Sequence, residues 1–363
     1  MTRLRDALGD LAEQAPRVDL AEAAIAGHLR RRRTGRVVAA LATATALAVT
    51  GAAVTLPWTS TAISVAAQGT EKAPDLPATA VGPLGYAYQT PCVVKPKLDC
   101  STSHWRVVTR SGKTYRLPDA PAHSSTGFTM PVSISRDGRM LAYYDPREGA
   151  HVVHDLERGT RTVSRLRLSE DRVGIGSLLF VSDDGRHLAF DPREGSKEPG
   201  MVIDVRTGAK VEVPGTFEPV SLKDGVVSLV RYLKTDLWLM PVTGGGKPVR
   251  FDGTFIMFSE LSPDGRTVAA VRHQRHLAEE LTLLDAKNGG TLRTVAIRGL
   301  PEDRGAVTAT GPWRGSGEIA ITYSGTTGLR TFAVDVSSGR ARPLERFPGN
   351  RPGLTLPGRV EVK

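Results

Sequence analysis

Cysteine is scarce in this chain, aromatic residues are few, and the short signatures of the common catalytic sites are missing. Two cysteines among 363 residues exclude a miniature scaffold framed by disulfides. No Cys-x-x-Cys and no His-Glu-x-x-His occurs, so the usual local zinc sites are out. Without a Gly-x-Ser-x-Gly there is no nucleophile elbow, which removes the serine peptidases built on one. The triple glycine at 244–246 reads as a hairpin turn, since no phosphate-cradling pattern surrounds it. Nor is there a basic stripe with interleaved aromatics, the usual footprint of a nucleic-acid binder. The net charge of +10 is therefore not read as an affinity for DNA or RNA.

Enough apolar residues are present for a sizeable core: 40% are hydrophobic, with a mean hydropathy of -0.18, which argues against wholesale disorder. The charge is unevenly placed. Before Val37 stand eight arginines (Arg3, Arg5, Arg17, Arg30 to Arg33, Arg36) against five acids (Asp6, Asp10, Glu13, Asp19, Glu22), a balance of +3 crowded toward one end. From Val37 to Thr70 there is then no charged residue at all, and the apolar centre runs from Val37 to Trp58. A helix of that length rises about 30 Å, the thickness of a hydrocarbon core. Trp58 sits at an interfacial position, and the arginine block marks the cytoplasmic side. The segment is expected to be a single transmembrane helix at 37–58 in the cell membrane, with the N-terminus cytoplasmic and the remainder extracytoplasmic. A cleaved leader is the competing reading, because Val65-Ala66-Ala67 resembles a peptidase site; both export the rest of the chain.

Residues 1–36 form a cytoplasmic amphipathic helical stub on this reading. Leu4, Leu8, Leu11 and Ala15 recur on one helical face. After Pro16, Asp19 and Glu22 make a capping-box arrangement for a second helix that carries Ile25 and Leu29. Two such helices cannot bury a core alone, so they either dock a cytosolic regulatory partner or lie on the membrane surface. Residues 59–83, with three prolines in 74–83, read as a linker. In the exported part, Cys92 and Cys100 bracket a short loop. A disulfide across it is expected in an oxidising compartment and would contribute roughly 2–3 kcal/mol; two free thiols are the alternative. A zinc site would need further ligands, and only His104 is close in sequence.

The richest signal is a repeat. A short strand, a Ser-x-Asp-Gly turn and an apolar strand recur at Ser133–Asp145, Phe180–Asp191 and Glu260–Val271, with a weaker copy at Val220–Val230. The turn glycines Gly138, Gly185, Gly225 and Gly265 are 47, 40 and 40 residues apart. Each copy is followed by a second element, an apolar strand, Asp-x-x-x-Gly and another strand, beginning at His151, Met201, Leu281 and Thr331, with a divergent copy at Leu237. Asp-Gly supplies the positive φ of tight turns, and a sheet apolar on both faces must stack on neighbours. A further unit near Gly85–Gln89, Trp105–Arg110 and Thr114–Leu117 is one strand short, and Leu354–Lys363 is placed to supply it. The fold class expected for 84–363 is all-β: a β-propeller of about six four-stranded antiparallel blades, with seven left open.

The run Ser-x-Asp-Gly-Arg-x-Leu-Ala followed by an aromatic, at Ser135–Tyr143 and Ser182–Phe190, resembles the TolB-type, WD-repeat-like propeller module. The resemblance covers about 131–344 and implies a fold. Modules of this type occur in surface or periplasmic binding proteins and as caps on serine peptidases, and the motif residues themselves are structural. The whole layout also resembles membrane-bound anti-sigma regulators, although the stub has no His-x-x-x-Cys-x-x-Cys.

Chemistry is thin on the expected inner strands, which carry serine and threonine, with Glu260 their only acid. One carboxylate does not make a metal cage. His151 and His154 point to opposite faces if they share a strand, and His273 and His276 fall in a polar loop. No catalytic, cofactor or metal residue is assigned. The expected function is a non-enzymatic, membrane-anchored propeller that binds a protein or cell-envelope ligand through its blade loops. An anti-sigma-like regulator and a propeller hydrolase of the lactonase kind are the alternatives.

Overall fold

Each Ser-x-Asp-Gly site is a small hydrogen-bonded device that reverses the chain. Ser135 Oγ donates to Asp137 Oδ1 at 2.6 Å and accepts the Met140 N–H at 2.8 Å, while Asp137 Oδ1 accepts the Arg139 N–H at 2.9 Å. Ser182 with Asp184 and Ser262 with Asp264 repeat this arrangement. Gly138 closes its turn at a φ of 82°. A Cβ there would fall 2.5 Å from the Leu84 carbonyl oxygen of the neighbouring blade. Glycine is needed at this position for both backbone conformation and packing.

The computed structural model describes residues 73–94, 98–232, 234–273, 279–303, 305–347 and 351–358. The stub 1–36, the expected membrane span 37–58 and the first part of the linker lie outside these residues. Among the described residues no helix is long and apolar enough to cross a membrane.

Five sheets of four antiparallel strands, one of three and one of two make up the described chain. The three-stranded sheet, blade 1, pairs β1 (Leu84–Gln89), β4 (His104–Thr109) and β5 (Thr114–Pro121), and a finger of β2 (Val93–Val94) and β3 (Leu98–Asp99) interrupts it. Blade 2 is β6 (Val132–Ile134), β7 (Met140–Asp145), β8 (Ala150–Asp155) and β9 (Thr160–Arg167). Blade 3 is β10 (Leu178–Val181), β11 (His187–Asp191), β12 (Gly200–Asp204) and β13 (Lys210–Val213). Blade 4 is β14 (Glu218–Lys223), β15 (Val226–Arg231), β16 (Asp236–Pro241) and β17 (Val249–Arg250). Blade 5 is β18 (Phe255–Ile256), β19 (Thr267–Arg272), β20 (Glu280–Asp285) and β21 (Thr291–Ala296). Blade 6 is β22 (Ala306–Arg314), β23 (Glu318–Gly325), β24 (Gly328–Asp335) and β25 (Ala341–Phe347). Strands follow chain order within every four-stranded sheet.

The core is distributed between blades, because alternate residues of one strand enter different clusters. Leu141 and Tyr143 pack toward blade 1 with Trp105 and Leu84, while Ala142 and Tyr144 pack toward blade 3 with Leu188 and Phe190. Further clusters fill the junctions of blades 3 and 4, 4 and 5, and 5 and 6. A sixth, Phe347 with Leu354, Leu356, Tyr86 and Leu329, joins blade 6 to blade 1. The ring is therefore closed at six blades. The strand missing from blade 1 comes from the C-terminal segment, as expected: Ala87 and Thr355 exchange both backbone hydrogen bonds at 2.9 Å. Gln89 N–H reaches Pro352 O at 2.7 Å, and Gly358 N–H reaches Ile134 O at 2.9 Å.

Two local expectations differ from the structure. The inner strand of blade 5, expected at 257–262, pairs only at Phe255 and Ile256. Met257 then turns to a φ of 56°, and Ser259 Oγ takes the Ala269 N–H at 2.9 Å in place of a ladder carbonyl. The proline-rich stretch read as linker is also not detached from the propeller. Asp75 bridges Arg116 on the outer edge of blade 1, Val81 N–H bonds Leu156 O at 2.9 Å, and Leu76 and Val81 pack on the first core cluster. This strap covers an outer strand whose edge would otherwise be open to pairing.

His151 is wholly buried between Tyr144 and Phe190, and neither ring nitrogen has a hydrogen-bond partner. Burial pushes its pKa down to about 4, whereas an unfolded histidine titrates near 6.5. The stability tied to its neutral form is complete above about pH 6.5 and is lost as the pH falls toward 4. In urea unfolding, His151→Phe is expected to keep about 2 kcal/mol more of its pH 7.5 stability at pH 5 than the native chain does. Parallel pH profiles for the two proteins would rule this out.

Candidate recognition face

Each blade runs out, back, out and back, so its two tight turns lie at one end of the ring. The second-to-third strand loops and the connections between blades lie at the other. Most turn-end connections are short, the exceptions being 242–248 and 257–266, and the loop end is the more elaborated. At the loop end come the finger and its base at 90–103, the loops at 146–149 and 192–199, and the inter-blade connections at 122–131, 168–177 and 297–305.

At the turn end the axis is bridged by Glu260. Its Oε1 accepts Arg136 Nε of blade 2 at 2.9 Å and the Trp313 N–H of blade 6 at 3.0 Å. Lys223 Nζ of blade 4 is 3.8 Å away and donates to Leu261 O at 3.0 Å. Trp313 Nε1 donates to Glu260 O at 3.0 Å. Four blades thus meet on one carboxylate that is only 5% exposed. Burial pushes its pKa above the ordinary range, against the pull of Arg136 and Lys223. The sequence placed Glu260 correctly on an inner segment, but its partners were not anticipated. A signal for two of them existed, since Arg136 and Lys223 both occupy the residue just before the turn Asp, which faces the axis. Asp183 holds the same place in blade 3 and accepts the Asp137 N–H at 3.3 Å.

The other candidates are dispersed. His151 and His154 both lie on β8, and neither joins a possible metal cluster. His273 directly follows β19, and His276 lies outside the described residues. Gly244, Gly245 and Gly246 form a positive-φ turn between β16 and β17. Cys92 and Cys100 are joined as a disulfide, with Cα atoms 4.4 Å apart.

Ion pairs stitch the loop end together. In the loop at 146–149, Asp145 binds Arg161, Arg161 also reaches Glu148 at 3.1 Å, and Arg147 lies 3.3 Å from Asp119 of blade 1. Arg172 bridges to Glu198 at 3.1 Å. Asp191, the counterpart of Asp145, accepts the Arg193 N–H at 3.0 Å, and burial pushes its pKa up to about 6. Beside these loops the finger exposes Val93, Val94 and Leu98. Under it lies a cavity of about 570 Å³, lined among others by Cys100, His104, Arg116, His123 and Ser124. Burial pushes the His123 pKa down, and its Nδ1 is buried without a hydrogen-bond partner. Nothing in the local sequence marked His123, because it comes from the connection to blade 2 and meets the finger only in the fold.

No protein-family model matches the chain, and no curated protein does. Among solved structures, it is similar to TolB from Acinetobacter baumannii, at 15% identity and a TM-score of 0.48 over 76% of this chain and 66% of that one. It is similar to the dihydro-heme d1 dehydrogenase NirN, at 18% identity and a TM-score of 0.42 over 77% of this chain and 57% of that one. It is also similar to the Cps50 (Swd1) β-propeller domain of Myceliophteria thermophila, at 10% identity and a TM-score of 0.40 over 69% and 85%. The chain spans less than two thirds of the TolB and NirN chains. The propeller assignment here rests on this chain's own strand order and closure.

Removing Glu260 would leave Arg136 and Lys223 facing each other without their shared anion, the costly way to break a buried pair. Glu260→Ala is expected to lose about 3 kcal/mol in urea unfolding, and Glu260→Gln less, since the amide can still accept the Trp313 N–H. A loss below about 0.5 kcal/mol for the alanine variant would show that the axis does not depend on this contact.

Proposed function

We propose that the chain is a membrane-anchored, extracytoplasmic binding platform that recognises a protein or cell-envelope partner through the loop end of its propeller. The observation that carries this reading is the contrast between the two ends. The axial carboxylate is consumed by a cross-blade brace, while the longer loops, the exposed aliphatics of the finger and an open cavity gather at the opposite end. Binding sites on repeat scaffolds concentrate in such loops, held by a rigid frame. The anchor part of the reading rests on the uncharged run 37–70 and the arginines before it. The disulfide fits the oxidising side of a membrane.

The native lysines allow a test in intact cells. Lys197 is exposed at the loop end, whereas Lys113 and Lys287 are exposed in turns at the other. A membrane-impermeant, amine-reactive crosslinker followed by mass spectrometry is expected to join a partner at Lys197 and leave Lys113 and Lys287 with hydrolysed reagent only. Partner crosslinks confined to the turn end would contradict the assigned face. A complete lack of labelling on lysines after residue 84 would contradict export.

A further inference from the structure

We propose that Cys92, Cys100 and His123 form a latent binding site for a thiophilic divalent cation of the zinc class, closed by the disulfide and opened by a dithiol reductant. The proposal does not depend on what the loop end recognises. One ligand atom from each of the three residues already lies within 4.8 Å of the other two. At a tetrahedral zinc, with bonds of about 2.0–2.3 Å, ligand atoms stand roughly 3.3–3.8 Å apart, so small side-chain rotations suffice to bring them together. Among the described residues this is the one set of three or more cysteine, histidine or carboxylate side chains close enough to share an ion.

The parts of the site are held in place by bonds other than the disulfide. Cys92 and Cys100 flank the ladder Val93↔Asp99 and Val94↔Leu98, so they form the next cross-strand pair and share a face of the finger. The base of the finger is pinned by Thr90 N–H to His104 O at 3.0 Å, Ser103 Oγ to Thr90 O at 2.7 Å and His104 N–H to Thr90 Oγ1 at 3.0 Å. His123 is set by a separate hairpin, through its bridge to Thr129 and the Met130 N–H to Ala122 O bond of 3.0 Å. Its Nδ1 is buried without a partner, an arrangement that a ligating role would explain. His104, the nearer histidine in sequence, has Nδ1 engaged by Thr102 O at 3.1 Å and Thr90 Oγ1 at 3.3 Å and is not in the group. Cys100 and His123 line the cavity under the finger, which leaves a fourth position for water or a small ligand, as in open zinc sites.

The chemistry balances as follows. A dithiol delivers two electrons and two protons to the Cys92–Cys100 bond and itself closes to a disulfide. The cation then binds both sulfurs and one imidazole nitrogen, and the two thiol protons leave to solvent.

Cobalt(II) added to the full-length protein, oxidised or reduced, reads the site directly. The reduced protein is expected to bind one equivalent with a thiolate-to-cobalt charge-transfer band that zinc abolishes, and the oxidised protein is expected to show none. His123→Ala should weaken cobalt binding by at least about tenfold, since even outer-shell partners are worth that much, and should change the visible spectrum; Cys92→Ser should abolish the band. If His123→Ala fails to fold, carbethoxylation of the reduced native protein reads the same residue: zinc should protect His123 and leave His104 reactive. No band in the reduced protein would overturn the proposal. So would an unchanged His123→Ala spectrum and affinity, or a His123 that zinc does not protect.

Discussion

A four-stranded sheet with two apolar faces is not stable alone in water, and every other feature of this structure follows from how that burial is completed. Each blade hides its faces against both neighbours, so no blade can be fully buried until the last meets the first. Blade 1 is one strand short, and residues 351–358 fill the gap between it and blade 6. Closing the ring with a strand from the opposite end of the chain ties the first and last blades together by backbone hydrogen bonds. The closing junction has the smallest apolar cluster of the six, and Arg351 over the rings of Tyr86 and Tyr88 adds to it.

The closed ring gives its two ends different properties. Tight turns bring Arg136 of blade 2 and Lys223 of blade 4 to the axis, where both converge on Glu260. An acid in a propeller channel invites a catalytic reading, but its bonds make this one a brace between blades 2, 4, 5 and 6. The loop end is free of the spacing that the turns impose. It therefore varies from blade to blade, and it holds the disulfide finger, the paired loops at 146–149 and 192–199, and the cavity that contains His123.

Much of this architecture was legible in the residue pattern, for a physical reason. Ser-x-Asp-Gly encodes a complete turn within a few residues, with Ser135, Asp137 and Gly138 each supplying a bond or a backbone conformation. Strand order, a blade number of six or seven, and the closing segment follow from such local signals and their spacing. The irregular inner segment of blade 5 was not legible, because the exchange of a ladder carbonyl for Ser259 Oγ depends on Ala269. Nor were the cross-axis partners of Glu260 or the approach of His123 to the cysteines, since both join residues whose proximity exists only after closure. The strap at 75–83 reads as a linker in the sequence because a proline-containing stretch looks the same whether or not an outer strand edge is available to dock it.

Closure by the C-terminal segment is the claim on which the burial argument stands, and amide hydrogen exchange tests it at single residues. The Ala87 and Thr355 amides each donate to the other residue's carbonyl, and they are predicted to exchange as slowly as the central-strand amides of Ala142 and Val153 in blade 2, opening only with the whole domain. Exchange at Ala87 and Thr355 on the timescale of a frayed terminus, with blade 2 still protected, would contradict the closed ring.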